Sequence, residues 1–192
     1  MKNRESASDN NTSAVILCGG NASRLNHQNK GLVDWRGKPL IEHAIESLPP
    51  NYPRLISANQ NIEQYSQYGT VVADTDTGLP SKSPLIGVLS ALNKMKTDWL
   101  LCLPVDTPML KRGWHQPLMS QSPDHSLVFA RDPDRGQPIH VLLHRSEYDP
   151  LNNYLNAGNK SANNFLETRE AAAVMFSDAG QFKNFNTPED FV

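Results

Sequence analysis

A single α/β domain, built on a mostly parallel sheet with helices on both faces, is the fold that three features of this sequence predict. Short apolar runs bounded by Gly, Asn, Asp or Pro recur along the first half: Ala14 to Leu17, Arg54 to Ala58, Thr70 to Ala73 and Trp99 to Leu103. Runs of four or five such residues read as buried strands. Segments of helical period separate them, and strands alternating with helices favour parallel pairing with both sheet faces covered. The third feature is length: 192 residues fill one domain of about 100–200 residues.

Taken in order, residues 1–13 are polar and lack an apolar stretch, so they read as a disordered lead-in and not as a signal peptide; the domain is expected over 14–192. The first strand, Ala14 to Leu17, runs into Cys18-Gly19-Gly20. The first helix is expected from Pro39, with Leu40, Ile41, Ala44, Ile45 and Leu48 on one face and Pro49-Pro50 as its stop. Pro84 opens a second helix, Leu85 to Met95, with Leu85, Val88, Leu89 and Leu92 along one stripe. Beyond Ser126 the alternation is less regular. Leu127 to Ala130, Ile139 to Leu143 and Val174 to Phe176 read as strands, Tyr148 to Asn156 and Ala162 to Arg169 as helices. In the closing "FNTPEDF", Thr187 is an N-cap, Pro188 a first-turn residue and Asp190 a capping-box residue, so a last helix is expected there.

A net charge of −2 leaves no cationic excess for binding a polyanion, which argues against a nucleic-acid scaffold. The two cysteines, Cys18 and Cys102, each lie in an apolar stretch, as packed thiols in a reducing compartment do. With no run long enough to span a membrane, a soluble cytoplasmic protein is expected. His27, His43, His115, His125, His140 and His144 are scattered, and none is paired at metal-ligand spacing.

Parallel sheets bind ligands at the carboxyl ends of their strands, so the informative loops follow Leu17, Asn59, Ala73 and Leu103. After Leu17, Gly19 and Gly20 let the backbone approach a phosphate, while Arg24 and Lys30 supply charge. The stretch is neither a P-loop nor a dinucleotide fingerprint, and a tight turn without ligand explains the glycines equally well. After Leu103, Asp106 is placed either to hold Mg²⁺ alongside substrate phosphates or to cap the turn before Thr107-Pro108. Asp74 and Asp76 lie in a Thr/Asp/Gly loop that turn chemistry alone would select. Asn59 serves either as a helix N-cap or as a ligand.

Several ordered motifs give these residues a common context. L-x-G-G-x-x-x-R, a lysine thirteen residues after the leucine, "GKPLIEH", "SPLIGVLSAL", P-x-D-T-P, "YLNAGN" and N-T-P-E-D occur in order from Ala14 to Phe191. The set resembles the MobA type of molybdenum cofactor guanylyltransferase. That resemblance implies a Rossmann-like, three-layer nucleotidyltransferase fold. It also implies transfer of GMP from GTP to the terminal phosphate of molybdopterin, with Mg²⁺ as cofactor and other cofactor-biosynthesis proteins and apo-molybdoenzymes as partners. Gly19, Gly20, Arg24 and Lys30 would then cradle the triphosphate and Asp106 would hold Mg²⁺. Leu17, Cys18 and Gly19 match the guanine-binding segment, in which Gly at the position of Gly19 goes with guanylyl transfer. Asp74 falls where the family has an acid near the nucleotide. Asn59 matches the second asparagine of an N-A-N segment whose first is Ser57 here. Gln137-Pro138 and Asn184 to Thr187 fall on the pterin side, where a strand start and a helix cap serve equally well as explanations. Transfer of CMP or of a nucleotide to a sugar phosphate, or a nucleotide-binding regulator without catalysis, are the competing readings.

The chain departs from the family between Arg24 and Lys30. Where R-M-G-x-x-D-K is usual it reads Arg24-Leu25-Asn26-His27-Gln28-Asn29-Lys30. Asn29 keeps hydrogen-bonding capacity but loses a negative charge, so Lys30 is expected to be less compensated and the loop differently positioned before substrate arrives.

Overall fold

The computed structural model describes residues 4–19, 29–74 and 83–192. A seven-stranded sheet forms the middle layer. In chain order its strands are β1 (Thr12–Leu17), β4 (Arg54–Ser57), β5 (Thr70–Val72), β6 (Trp99–Pro104), β7 (Leu127–Arg131), β8 (Gly136–His144) and β9 (Ala172–Met175); β2 (Asp34–Trp35) and β3 (Lys38–Pro39) make a separate hairpin. The sheet order is β5-β4-β1-β6-β8-β7-β9. The pairs β5/β4, β4/β1, β1/β6 and β7/β9 are parallel, whereas β8 runs antiparallel to both β6 and β7. The less regular second half is thus the part where the parallel rule breaks.

Alternation along the strands makes two cores from one sheet. In β1, Ala14 and Ile16 point to one face and Val15 and Leu17 to the other; in β6, Trp99, Leu101 and Leu103 oppose Leu100 and Cys102. Because both faces are buried, these strands carry an unbroken apolar run and not an alternating one. The first face is covered by α1 (Leu40–Glu46), through Leu40, Ile41 and Ala44, by Tyr65 of α2 (Ile62–Ser66) and by Leu118 of α4 (Gln116–Met119). The second is covered by α3 (Pro84–Lys94), α5 (Tyr148–Asn156) and α6 (Ala162–Thr168). This is the three-layer arrangement expected.

Proline and side-chain caps set the helix starts. Pro39 stands at the extended N-cap of α1, one residue before the helix, while Pro84 is the first residue of α3 and the Ser83 hydroxyl accepts from Leu85 N–H at 3.2 Å. Burial of α3 extends beyond the expected stripe to Ile86, Ser90 and Ala91, because the helix lies between the sheet and α5. The last turn, Pro188–Phe191, is a 3₁₀ turn closed by the Thr187/Asp190 capping box.

The β2/β3 hairpin has no counterpart in the sequence reading. Its two turn residues, Arg36 and Gly37, both have positive φ, 54° and 80°, as a two-residue hairpin requires. Asp34 Oδ1 accepts from Gly37 N–H at 3.0 Å. Upstream, Thr12 and Ser13 already belong to β1, two residues before the expected domain start. Trp99 Nε1 donates to Glu5 O at 3.0 Å, and Ala7 N–H donates to Ser122 Oγ at 2.8 Å, so the described part of this segment lies along the domain.

Candidate active site

The chain leaves β1 for β4 and β5 on one side, then returns past β1 to β6 on the other. Ligands of open α/β sheets bind where strand order reverses in this way, outside the carboxyl ends. A cleft of about 1110 Å³ opens there, lined among others by Leu17, Cys18, Gly19, Lys30, Ser57, Asn59, Asp74 and Asp106. Every expected substrate residue that falls among the described ones lines this cleft. Gly20 and Arg24 lie outside the described residues, as do Asn26 to Gln28 and Asp76.

Lys30 and Asp106 meet across the cleft floor although 76 positions separate them. The Lys30 ammonium donates to Asp106 Oδ2 at 2.7 Å and to Asn186 Oδ1 at 2.5 Å. Both charged side chains are mostly enclosed, at 16% and 18% exposure. The charge missing at Asn29 is therefore not missed by Lys30, whose counter-charge is Asp106, just beyond β6, with Asn186 as a further acceptor. That segment is held in turn: Phe185 N–H donates to Asp106 O at 2.8 Å, and Asp190 Oδ2 accepts from the N–H groups of Asn186 and Thr187 at 2.9 and 3.0 Å. These two backbone donors, with Lys183, keep the Asp190 carboxyl well below the usual carboxylate range. The other oxygen of the Asp106 carboxylate, Oδ1, is buried and has no hydrogen-bond partner among the described residues. A buried carboxylate oxygen without a partner is costly.

Asn59 and Asp74 form a second polar pair. Asn59 Nδ2 donates to Asp74 Oδ2 at 2.7 Å, and Asp74 N–H donates back to Asn59 Oδ1 at 2.9 Å. Asn59 is thus not a helix cap, a place taken by Asn61 in left-handed conformation; it ties the end of β4 to the end of β5. Ser57 is buried beneath the cleft. A Cβ on Gly87 of α3 would overlap Ser57 Oγ and come within 3.1 Å of Leu17 Cδ2, so close helix–sheet packing requires that glycine. Gly19 is the opposite case: among the described residues a Cβ there meets nothing within 4 Å.

Cys18 contributes differently from its neighbours. Its side chain belongs to the core, and burial pushes the thiol up to about 12, so it is neutral at any working pH and neither a nucleophile nor a metal ligand. Only its position in the strand-to-loop turn reaches the ligand side. Across the cleft, Asp132 accepts from Asp134 N–H, Arg135 N–H and Gln137 Nε2 at 2.9, 2.8 and 2.7 Å. Burial opposes its charge, but these donors keep its carboxyl below the usual range. They fold a tight turn that puts Arg135 on the cleft wall and leaves Gln137 in a supporting role at the start of β8. Arg135 was not singled out by sequence, and neither was Tyr65.

A sheet between two helical layers, with a lysine and an aspartate paired in the cleft at its switch point, is the frame of a class of α/β proteins that handle anionic ligands. Comparison with known proteins narrows this. Residues 14–174 match the model of the MobA-like NTP transferase domain. The molybdenum cofactor guanylyltransferase of Vibrio parahaemolyticus is 36% identical over 182 residues, 93% of this chain and 92% of that protein. Its namesake from a Shewanella strain is 37% identical over 181 residues, 92% of this chain and 91% of its own. Among solved structures, the molybdopterin-guanine dinucleotide biosynthesis protein A of Archaeoglobus fulgidus superposes with a TM-score of 0.74 at 20% identity, covering 93% and 94% of the two chains. A 4-diphosphocytidyl-2C-methyl-D-erythritol synthase from Anaerococcus prevotii shares the fold at a TM-score of 0.68 and 12% identity. The chain belongs to the MobA-like nucleotidyltransferase family.

Proposed function

We propose that this protein transfers GMP from GTP to the terminal phosphate of molybdopterin, giving molybdopterin guanine dinucleotide and pyrophosphate. Identity of 36–37% to guanylyltransferases over more than nine-tenths of this chain supports the reaction, and the Lys30–Asp106 pair is the observation that carries the chemistry. An oxygen of the pterin phosphate forms a bond to the α-phosphorus of GTP while the bond from that phosphorus to the bridging oxygen of the β-phosphate breaks, and the electron pair leaves with pyrophosphate. The nucleophile is already ionised at neutral pH, so no general base is needed; alignment and charge compensation are the tasks.

In this reading Gly19 and Gly20 present backbone N–H groups to the triphosphate, and Arg24 and Lys30 offset charge on the departing pyrophosphate. Leu17, Cys18, Gly19, Ser57, Asn59 and Asp74 shape the nucleoside half of the cleft. Asp106 suits a hard divalent cation, since its buried Oδ1 lacks a partner while Oδ2 is held by Lys30. Among the described residues no cluster of three His, Cys, Asp or Glu could hold a metal by itself, as suits Mg²⁺ bound by one carboxylate together with substrate phosphates. Bound there, Mg²⁺ supplies charge neutralisation and a template for in-line transfer. The enzyme works in the cytoplasm on free GTP and molybdopterin and hands its product to apo-molybdoenzymes.

Asp106→Asn tests the assignment. Guanylyl transfer with Mg²⁺ should fall by at least about a hundredfold, the loss typical of removing one preorganised charge contact, in a variant that still folds. A nucleotide-binding regulator would tolerate the change, and unaltered turnover in Asp106→Asn would remove Asp106 from the chemistry.

A further inference from the structure

Tyr65 is fully buried in α2, 35 positions after Lys30, yet its phenol reaches the residues on both sides of that lysine. Tyr65 OH donates to Asn29 Oδ1. On the other side of Lys30, the same oxygen packs against Gly31. The room for this is made by Gly31, where a Cβ would overlap Tyr65 OH and approach Tyr65 Cζ and Val105 Cγ2 to 3.2 Å. A phenol has one proton to give, and here it goes to the Asn29 amide oxygen, which fixes the orientation of that amide.

We propose that Tyr65 is a positioning residue that clamps the backbone on either side of Lys30, so that the ammonium is delivered to Asp106 and Asn186 in the geometry that receives the triphosphate. Lys30 sits in a short 3₁₀ turn, Lys30–Leu32, too small to hold a flexible side chain in place by its own hydrogen bonds. The clamp supplies what the turn lacks, from a rigid and dry part of the core.

The proposal rests on guanylyl transfer only for its kinetic consequence; the position of Lys30 can be read without turnover. Acetylation of lysines with a water-soluble reagent, followed by mass spectrometry, reports how well each ammonium is held. Tyr65→Phe and Asn29→Leu should each raise the labelling rate of Lys30 by roughly three- to tenfold, the worth of one hydrogen bond, while exposed Lys94 and Lys96 stay unchanged. Combining the two substitutions should add little, since both break one link. Tyr68→Phe, which removes another phenol of the same segment, bonded to Glu42 at 3.2 Å, is the control and should leave Lys30 as in the parent. In the transfer assay Tyr65→Phe should lower kcat/KM for GTP by a similar factor with KM for molybdopterin held. Unchanged Lys30 labelling in a folded Tyr65→Phe protein would overturn the clamp, and so would an equal rise at every lysine, which marks general loosening. Absence of turnover in the parent protein would count against guanylyl transfer alone, with the labelling pattern still deciding the clamp.

Discussion

At the scale of single residues, the site divides into charges that compensate one another and small residues that leave room. Lys30 holds one oxygen of Asp106, while the other is buried without a hydrogen-bond partner among the described residues. Lys30→Met keeps the stem and removes the ammonium; it should cut kcat/KM for GTP by about a hundredfold or more, as removal of a charge-assisted phosphate contact does, measured as pyrophosphate release. Two of the cleft glycines make opposite predictions. Gly19→Ala adds a methyl where nothing among the described residues lies within 4 Å, so its melting temperature should match the parent's while its preference for GTP over CTP declines. Gly87→Ala adds one against Ser57 and Leu17 and should cost roughly 1–3 kcal/mol of stability, as overpacking does, seen as a lower urea midpoint at constant slope. Lys30, Asp106 and Gly19 could be marked from sequence because each stands in a short local motif. Tyr65 could not, because its partner lies 36 positions away and nothing around it advertises the contact; Asn186 stood in the marked stretch Asn184 to Thr187, but its bond to Lys30, 156 positions away, was not legible there.

At the scale of elements, period and punctuation located most strands and helices. Apolar runs between Gly, Asn, Asp and Pro gave β1, β4, β5 and β6 to within two residues at either end, and the prolines at 39 and 84 marked the starts of α1 and α3. What sequence leaves undetermined is direction. β8 reads as a strand, yet its antiparallel pairing with β6 and β7 is set by the connections and not by its own pattern. The β2/β3 hairpin escaped notice because two-residue strands carry no period; only the Arg36-Gly37 turn betrays it. Leu101, fully buried in β6 at the centre of the first core, gives the element-scale prediction. Leu101→Ala should cost about 2–5 kcal/mol, the range for deleting a buried leucine side chain, in chemical unfolding. At saturating substrate it should leave kcat unchanged where the protein is folded, since β6 serves the site only through its carboxyl end.

At the scale of the whole molecule, buried histidine sets the response to acid. His140 in β8 is enclosed by the rings of Trp114 and Phe182, and its Nε2 meets Thr107 Oγ1 at 3.1 Å. Burial pulls its pKa down from 6.5 to about 3; His115 and His144 are shifted in the same direction, also chiefly by burial. The unfolded chain therefore binds protons that the folded one does not between about pH 3 and pH 6.5, and stability rises with pH across that window. It is fully present above the unfolded histidine value and is lost as the pH falls toward 3. Urea midpoints measured from pH 7 to pH 4 should decline, and His140→Phe should decline less steeply over the same range. Parallel slopes for the two proteins would show that His140 is charged in the fold. None of the six histidines shows metal spacing in the sequence, and the fold uses His140 for packing, a role its apolar neighbours in "PIHVLL" are consistent with.

The central claim is that the cleft at the switch point of the sheet transfers GMP to a pterin phosphate, and pyrophosphate release tests it most directly. Purified protein is given molybdopterin, Mg²⁺ and each of GTP, CTP, ATP and UTP in turn. The account predicts release with GTP, none without molybdopterin, and formation of molybdopterin guanine dinucleotide in equal amount. Turnover with CTP in place of GTP, or with no triphosphate at all, would contradict it.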